Sequence, residues 1–219
     1  TSSTADTKYD ALSSQSVSIT TNDDEASPLV TLTASSSSVA ENGGTSTLTA
    51  TQNVVTASDT TVNLNTSGNA TLNADYSISS STITISAGST SGTATLTAIT
   101  DQLDDDGEAI VVDISSVSGA NSVAENGTQQ TTVTIADDDN ASFTVTQTSG
   151  STIVDESGSA DNFTVVLGSQ PTGNVAFSLG ASDSSEVSIS PSTLTFTSSN
   201  WNNAQTVTVT GVSDNLDDD

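Results

Sequence analysis

The chain consists of short runs in which an apolar residue alternates with threonine or serine, and helical periodicity is almost absent. Val30-Thr31-Leu32-Thr33 and Val133-Thr134-Ile135 are typical. Such a run places an apolar side chain on one face at every second residue, as a half-buried β-strand does. Turns rich in Gly, Asn, Asp and Ser separate the runs. Short strands that recur between turns of this kind predict an antiparallel β-sandwich.

The central part of the chain, residues 28–139, contains enough of these runs for one complete sandwich. Aromatic residues are few, so Val, Leu and Ile must fill the core. The predicted strands are Leu29–Ala34, Thr45–Thr51, Thr60–Thr66, Ser80–Ile85, Thr93–Ile99, Ala109–Ser115 and Gln129–Ala136. The predicted core residues are Val30, Leu32, Leu48, Val62, Leu64, Ile83, Ile85, Leu96, Ile110, Val112, Val133 and Ile135.

Acidic clusters mark a boundary on each side of this central module. Asp137-Asp138-Asp139 precedes a new run that starts at Phe143, and Asp23-Asp24-Glu25 precedes the run at Val30. Residues 1–27 are therefore expected to be the C-terminal strand of a preceding module, and residues 140–219 the first five strands of a further one. Together these fragments are about one short strand smaller than the complete module. We interpret the chain as an out-of-phase window on a tandem array, in which residues 1–27 complete the 140–219 module of a neighbouring copy.

The charge balance excludes several classes of partner. The chain has 27 acidic residues and one basic residue, Lys8, for a net charge of −26. Nucleic acid and anionic membrane surfaces are therefore not expected partners, because both attract positive charge. No apolar run approaches the roughly 18 residues that cross a bilayer, so no membrane insertion is expected. High net charge with low hydrophobicity can indicate disorder, but the regular alternation argues against it.

The residue types also argue against an enzyme. Histidine and cysteine are absent and lysine occurs once, so the usual nucleophile–base pairs cannot be assembled. Paired carboxylates could serve a glycosidase as acid and base. The acidic residues, however, cluster in loops at a module junction, where few aromatic side chains are available to line a sugar cleft. A non-catalytic role is predicted.

One acidic motif occurs twice at the same position of successive modules. Asp101-Gln102-Leu103-Asp104-Asp105-Asp106 follows one alternating run, and Asp214-Asn215-Leu216-Asp217-Asp218-Asp219 follows another. In a sandwich whose seven predicted strands run alternately in opposite directions, strands one, three, five and seven all end at the same pole. Glu41, Asp75, residues 101–108 and residues 137–139 should therefore converge there.

Converging carboxylates repel one another, and a multivalent cation relieves the repulsion. Calcium accepts six to eight oxygen ligands in flexible geometry, whereas magnesium demands a tighter octahedron. An EF-hand is excluded, because a loop centred on Gly107 would place Gln102 at its first ligand position. The alternative is that acidic loops only keep the surface soluble, which explains the charge but not the convergence. We therefore predict bound Ca²⁺.

The central module resembles a Calx-beta domain, a calcium-binding sandwich of sodium–calcium exchangers, integrin β4 and large bacterial surface proteins. The matching motifs are Val39-Ala40-Glu41-Asn42-Gly43-Gly44, Asp75-Tyr76, Ile83-Thr84-Ile85-Ser86-Ala87-Gly88, Ser91-Gly92-Thr93, Asp101 with Glu108, and Val133-Thr134-Ile135 before Asp137-Asp138-Asp139. The resemblance implies an all-β chain of tandem immunoglobulin-like antiparallel β-sandwiches, with one complete and two partial modules. Residues 140–219 resemble the same class less closely, and the Ser190–Thr197 stretch also resembles a sandwich repeat of bacterial adhesins.

The resemblance also implies the metal ligands. In the central module they are Glu41, Asp75, Asp101, the Leu103 carbonyl, Asp105, Glu108, Asp137, Asp138 and Asp139. Thr100 and Gln102 stand where family members often have acids, so fewer ions than in the fullest members are expected. In the last module the implied ligands are Glu156, Asp214, the Leu216 carbonyl and Asp218, and Asp23 and Asp24 would serve the preceding module.

Two functions from different classes remain open. In the first, the array is a calcium-stiffened rod or filament body of a secreted bacterial surface protein, located outside the cell, which serves adhesion, biofilm or matrix. In the second, the modules themselves recognise a glycan or cell surface. A binding module should expose an aromatic or apolar patch, and Trp201, the only large candidate, fits a strand-edge or core position of the last module better. Regulation by calcium sensing, as in the exchangers, is a third possibility. The rod is favoured, with neighbouring copies as partners.

Overall fold

The central module is a sandwich of two five-stranded sheets. The computed structural model describes residues 7–10, 13–22 and 26–213. One sheet has the order β5-β7-β3-β1-β9 and the other β2-β10-β8-β4-β6. The strands are β1 Leu29–Ala34, β2 Ser38–Ala40, β3 Thr45–Gln52, β4 Thr60–Gly68, β5 Tyr76–Ile78, β6 Thr82–Ile85, β7 Ser91–Ala98, β8 Ala109–Ser118, β9 Ala124–Glu125 and β10 Gln130–Ala136.

All seven predicted strands are present, with ends that differ by at most three residues. The all-β sandwich fold is therefore confirmed. The sequence reasoning missed β2, β5 and β9, because runs of two or three residues are too short to show alternation. Two of these short strands form parallel pairs with strands distant in sequence, β2 with β10 and β9 with β1. Each of them is the edge strand on one side of its sheet.

The core lies between the two sheets. All twelve predicted core residues are buried there, together with Val39, Tyr76, Ile114, Val123 and several alanines. Gln52 is also buried, and its amide links Thr60 Oγ1, Thr56 Oγ1 and the Ser89 carbonyl at 2.9, 3.3 and 2.8 Å. These bonds satisfy the buried amide, so the polar group is tolerated inside an apolar core.

A second unit follows after residue 139. It has a four-stranded sheet of order β11-β12-β16-β14 and a two-stranded sheet of β13 and β15. A second core cluster of Val165, Leu194, Phe196 and Val207 lies inside it. Its strands are β11 Phe143–Gln147, β12 Ala160–Leu167, β13 Val175–Ser178, β14 Val187–Ser190, β15 Thr193–Phe196 and β16 Gln205–Gly211, and one 3₁₀ turn lies at Thr148–Gly150.

The described N-terminal residues are mostly irregular. One helical turn, α1, spans Thr7–Asp10, and residues 13–22 contain no strand and are exposed. Val17 and Ile19 are each 83% exposed, so the alternating run predicted as a strand pairs with no described part of its own chain. The division into segments 1–27, 28–139 and 140–219 remains a prediction. Among the described helices, none has the length and apolar character needed to cross a membrane.

Candidate metal centre

Four carboxylates meet where β2 and β10 end. These strands run parallel with Ala40 opposite Ala136, so the next residue of each chain segment leaves the sheet at the same edge. Glu41 N–H donates to the Ala136 carbonyl at 3.0 Å, which fixes the two segments side by side. As a result, one carboxylate oxygen from each of Glu41, Asp137, Asp138 and Asp139 lies within 4.8 Å of the others.

Glu41 is the most buried of these acids. Its side chain is 4% exposed. Its Oε1 accepts a hydrogen bond from the Asp101 N–H at 2.5 Å. Its Oε2 is buried, and no donor among the described residues reaches it. A buried carboxylate oxygen without a partner is costly, and a cation beside it would remove that cost. The donor set is oxygen only, which suits a hard cation such as Ca²⁺.

The loop of residues 101–108 carries further acids to the same place. Leu103 N–H donates to Asp101 Oδ1 at 2.7 Å, and Asp105 N–H donates to Asp137 Oδ2 at 3.1 Å. These bonds curl the loop over the carboxylate cluster. Glu108 ends the loop and is hydrogen-bonded to Asp75. The loop is therefore shaped around carboxylates by its own backbone N–H groups.

Asn69 clamps the far end of this loop. Its Nδ2 donates to the Gly107 carbonyl at 3.1 Å, and its Oδ1 accepts from the Ala109 N–H at 2.8 Å. Gly107 has a φ of +93°, which favours glycine. Sequence reasoning missed Asn69 because an asparagine after a strand also fits an ordinary turn. It likewise missed Asn42, whose Nδ2 lies 3.4 Å from Asp138 Oδ2.

The electrostatics of the cluster are unfavourable for so many negative charges. Burial raises the pKa of Glu108, and the hydrogen bond to Asp75 and the negative charge of Asp75 raise it further, to about 8. Burial also raises the pKa values of Glu41, Asp105 and Asp139, and neighbouring carboxylates such as Asp101 add to each. Raised carboxyl pKa values mean that the ionised cluster destabilises the fold. The chain has a single basic residue, so most of the compensation must come from outside it.

The structure brings the acids predicted for the central module to one pole. They are Glu41, Asp75, Asp101, Asp105, Glu108, Asp137, Asp138 and Asp139, and Leu103 lies on the same loop. The Ala98 N–H donates to the Gly44 carbonyl, and in the second unit the Gly211 N–H donates to the Ser159 carbonyl in the same way. Glu156 precedes Ser159 by three residues, as Glu41 precedes Gly44, so Glu156 occupies the position of Glu41. Unlike Glu41, it is exposed. Asp23, Asp24, Asp214, Leu216 and Asp218 lie outside the described residues.

The acidic loop also touches the second unit. Gln170 N–H donates to the Gln102 carbonyl at 2.6 Å, and Leu103 and Gln170 form a parallel β-bridge. Ala141 N–H donates to Asp104 Oδ2 at 2.6 Å. One loop therefore faces the carboxylate cluster on one side and the following unit on the other.

Comparison of the chain with protein-family models finds a match to one family. The Calx-beta domain profile matches residues 23–139. Among solved structures, the apo-form Calx CBD1 domain is 18% identical with a TM-score of 0.44, covering 52% of this chain and 100% of that one. CBD12 from CALX1.2 is 18% identical with a TM-score of 0.42 over 82% and 73% of the two chains. The calcium binding domain CBD12 of CALX1.1 is 16% identical with a TM-score of 0.41 over 80% and 72%. No curated protein matches significantly.

Proposed function

This chain belongs to the Calx-beta domain family, and from that premise we propose that it is a non-catalytic, calcium-binding structural repeat. In this proposal it forms part of a secreted bacterial surface protein, where Ca²⁺ stiffens a rod or filament that serves adhesion, biofilm or matrix. Calcium binds at the pole where the acidic loops of each module meet, and neighbouring modules or copies are the partners.

The observation that carries the proposal is the unpartnered Oε2 of Glu41. This atom is buried among carboxylates whose oxygens lie within 4.8 Å of one another. A fold that only needed acidic residues for solubility would leave them exposed, where each charge is hydrated. The central module instead buries Glu41, and backbone N–H groups of the 101–108 loop donate hydrogen bonds to Glu41 and Asp137 and hold these carboxylates in place. That arrangement supports a cation as the missing partner.

The contact between loop 101–108 and the second unit supports the stiffening role. The segment that would hold Ca²⁺ also receives the Gln170 and Ala141 N–H groups. Without a cation, repulsion among the acids favours opening of the loop and loosens these two bonds. With a cation, the loop stays closed and the bonds keep the two units at a fixed angle.

The proposed extracellular setting predicts the affinity of the site. Flexible all-oxygen calcium sites of extracellular modules have dissociation constants of about 10⁻⁴–10⁻³ M, which suits them to the high calcium outside cells. The repeated Asp-x-Leu-Asp-Asp-Asp motif supports an array of such sites. Calorimetric titration of Ca²⁺ should give a value in this range, with Mg²⁺ binding more weakly.

The decisive experiment combines small-angle scattering with thermal unfolding. In Ca²⁺ we expect a larger and better-defined maximum dimension than in chelator, because the hinge is fixed. We also expect a higher melting temperature, because binding only to the folded state stabilises it by about 3 kcal/mol at a hundredfold excess over the dissociation constant.

Glu41→Gln is the variant that tests the site, and Glu125→Gln is its matched control. Glu125 lies on β9 beside the start of β1, at the other pole, and its carboxylate accepts a backbone N–H that a glutamine can also satisfy. Glu41→Gln should abolish both calcium effects, and the control should keep them. Equal dimensions and equal melting temperatures with and without Ca²⁺ in the unmodified chain would refute the proposal.

A further inference from the structure

The chain enters and leaves the central module at opposite poles. β1 runs antiparallel to β3, and β3 starts at Thr45, next to the acidic pole, so β1 begins at the far pole. β10 runs parallel to β2 and ends at Ala136, directly before Asp137 at the acidic pole. Residues 26–28 lead into β1, and residues 137–142 lead away from β10. Tension along the chain therefore pulls β1 and β10 in opposite directions, each along its own axis.

The parallel pair of β2 and β10 connects the two parts of the chain that receive this tension. Ser38 lies opposite Thr134 in this pair. The Thr134 N–H donates to the Ser37 carbonyl and the Glu41 N–H donates to the Ala136 carbonyl, both at 3.0 Å. Thr134 Oγ1 also donates to the Ser37 carbonyl, at 3.2 Å. Tension slides these strands past each other, across the direction of their hydrogen bonds, so the bonds of the pair must break together.

The short strand β9 holds the start of β1 in the same way. Leu29 lies opposite Ala124 in a second parallel pair. The Ala124 N–H donates to the Pro28 carbonyl at 3.0 Å, and the Asn126 N–H donates to the Val30 carbonyl at 2.9 Å. These bonds hold the residues of β1 at which tension enters the module. Two antiparallel neighbours that are pulled apart from a shared pole would instead separate one bond at a time.

The core adds to this resistance. Val30 and Leu32 on β1 are 0% and 5% exposed, and Val133 and Ile135 on β10 are also 0% and 5% exposed. Moving a strand by one residue along its axis turns each inward side chain to the other face of the sheet. Sliding β1 or β10 therefore breaks the hydrogen bonds and takes buried apolar side chains out of the core in the same step.

We propose that the central module carries tension along the chain, and that the parallel pairs β2–β10 and β1–β9 are the clamps that resist it. This mechanical function depends on strand direction and not on a bound ion. A cation would reinforce one of the two clamps, because Glu41 directly follows β2 and Asp137–Asp139 directly follow β10, with carboxylate oxygens within 4.8 Å of one another. The reinforcement rests on the proposed calcium function, whereas the clamps do not.

Single-molecule pulling of the full chain in two directions tests the proposal. When the chain is held by its two ends, the length released identifies the unit that unfolds: roughly 350 Å for β1–β10 and roughly 200 Å for β11–β16. Because the chain has no cysteine, S58C/S118C provides handles at two exposed positions of the far pole. There β4 begins and its antiparallel neighbour β8 ends, so tension between these handles unzips the pair. The central module should need at least about twice the force when pulled by its ends.

A pair of proline variants separates mechanical from thermodynamic stability. Thr134→Pro removes the N–H and the hydroxyl that bind the Ser37 carbonyl. Ser79→Pro is the matched control, because it removes an N–H that donates to the Thr95 carbonyl at 2.8 Å and a hydroxyl that accepts the Thr95 N–H at 2.8 Å. Ser79 follows the edge strand β5, away from both points where tension enters. Both variants should lower stability in urea, but only Thr134→Pro should lower the end-to-end unfolding force, by roughly half.

The outcomes distinguish the clamps from the calcium site. Equal forces in the two pulling directions, or an equal fall in force for both proline variants, would overturn the proposal. If Thr134→Pro does not fold, the two pulling directions decide alone, because they leave every strand intact. An end-to-end force that is high in chelator and unchanged in Ca²⁺, with no binding by calorimetry, would refute the proposed calcium function and support the clamps. A low end-to-end force with normal calcium binding would overturn the clamps and leave the calcium function standing.

Discussion

Replacing Glu108 by glutamine should have opposite effects on stability with and without calcium. Burial and the neighbouring Asp75 raise the pKa of Glu108 to about 8, from 4.5 in an unstructured chain. The protonated form is therefore favoured by folding. The stability that this group contributes is complete below pH about 4.5, falls as the pH rises, and is lost above pH about 8.

The size of the effect follows from the same pKa values. A single group with this shift lowers the free energy of unfolding by about 1.4 kcal/mol for each pH unit between 4.5 and 8, or about 5 kcal/mol in all as an upper bound. Glu108 is only half-buried, so solvent screens part of this energy and we expect about 2–4 kcal/mol. In chelator at pH 8, Glu108→Gln should be more stable than the unmodified chain by this amount.

Urea unfolding in chelator at several pH values measures the effect, and the same series in excess Ca²⁺ provides the second half of the test. Calcium should stabilise the unmodified chain at pH 8 and have much less effect on Glu108→Gln, which lacks one of the proposed carboxylate ligands. Glu125→Gln should follow the unmodified chain under both conditions. A variant that is less stable than the unmodified chain in chelator at pH 8 would show that repulsion does not govern this pole.

Three further substitutions test the parts of the fold that support the site. Gln52→Leu should lower the free energy of unfolding, measured in urea, by about 2 kcal/mol, because it leaves the Thr60 hydroxyl and the Ser89 carbonyl without their hydrogen-bond partner. Gln130→Leu, at an exposed position, should change it little. Gly92→Ala should cost about 2–3 kcal/mol in the same assay, because a Cβ would lie 2.4 Å from the Thr84 carbonyl oxygen, while Gly173→Ala meets no atom within 4 Å and should be neutral. Asn69→Ala should weaken calcium binding about tenfold by calorimetry with a smaller change in stability, and Asn65→Ala, which contacts Asp113 instead, should leave the affinity unchanged.

The long strands and the core were predictable because they depend on local alternation. Each predicted core residue sits at a position where alternation places it inward, and all are buried. The three short strands were not predictable from alternation. β2, for example, is three residues long and exists because it pairs with β10, which lies about a hundred residues later in the chain.

The position of the acidic pole could be predicted from strand count, but its internal arrangement could not. That Glu41 is buried and the others less so follows from the parallel pairing of β2 with β10, a non-local contact. The link from Gln170 to the Gln102 carbonyl joins two irregular loops of different modules, and no periodicity marks either of them. The strand predicted within residues 1–27 is absent from the described residues 13–22 for a related reason. A strand needs a partner, and the described part of the same chain provides none.

The separation between core and acidic loops would let the proposed ion control the junction without controlling the fold. The central core is a continuous apolar cluster held between two five-stranded sheets, and none of its contacts requires a cation. The repelling carboxylates lie outside it, on segments that follow the ends of β2, β4, β7 and β10. Repulsion can therefore open the 101–108 loop at the cost of a few backbone hydrogen bonds, whereas unfolding the sandwich would expose the whole core. Removal of calcium should act first on the bonds to Gln170 and Ala141, and so loosen the angle between modules while each sandwich remains folded.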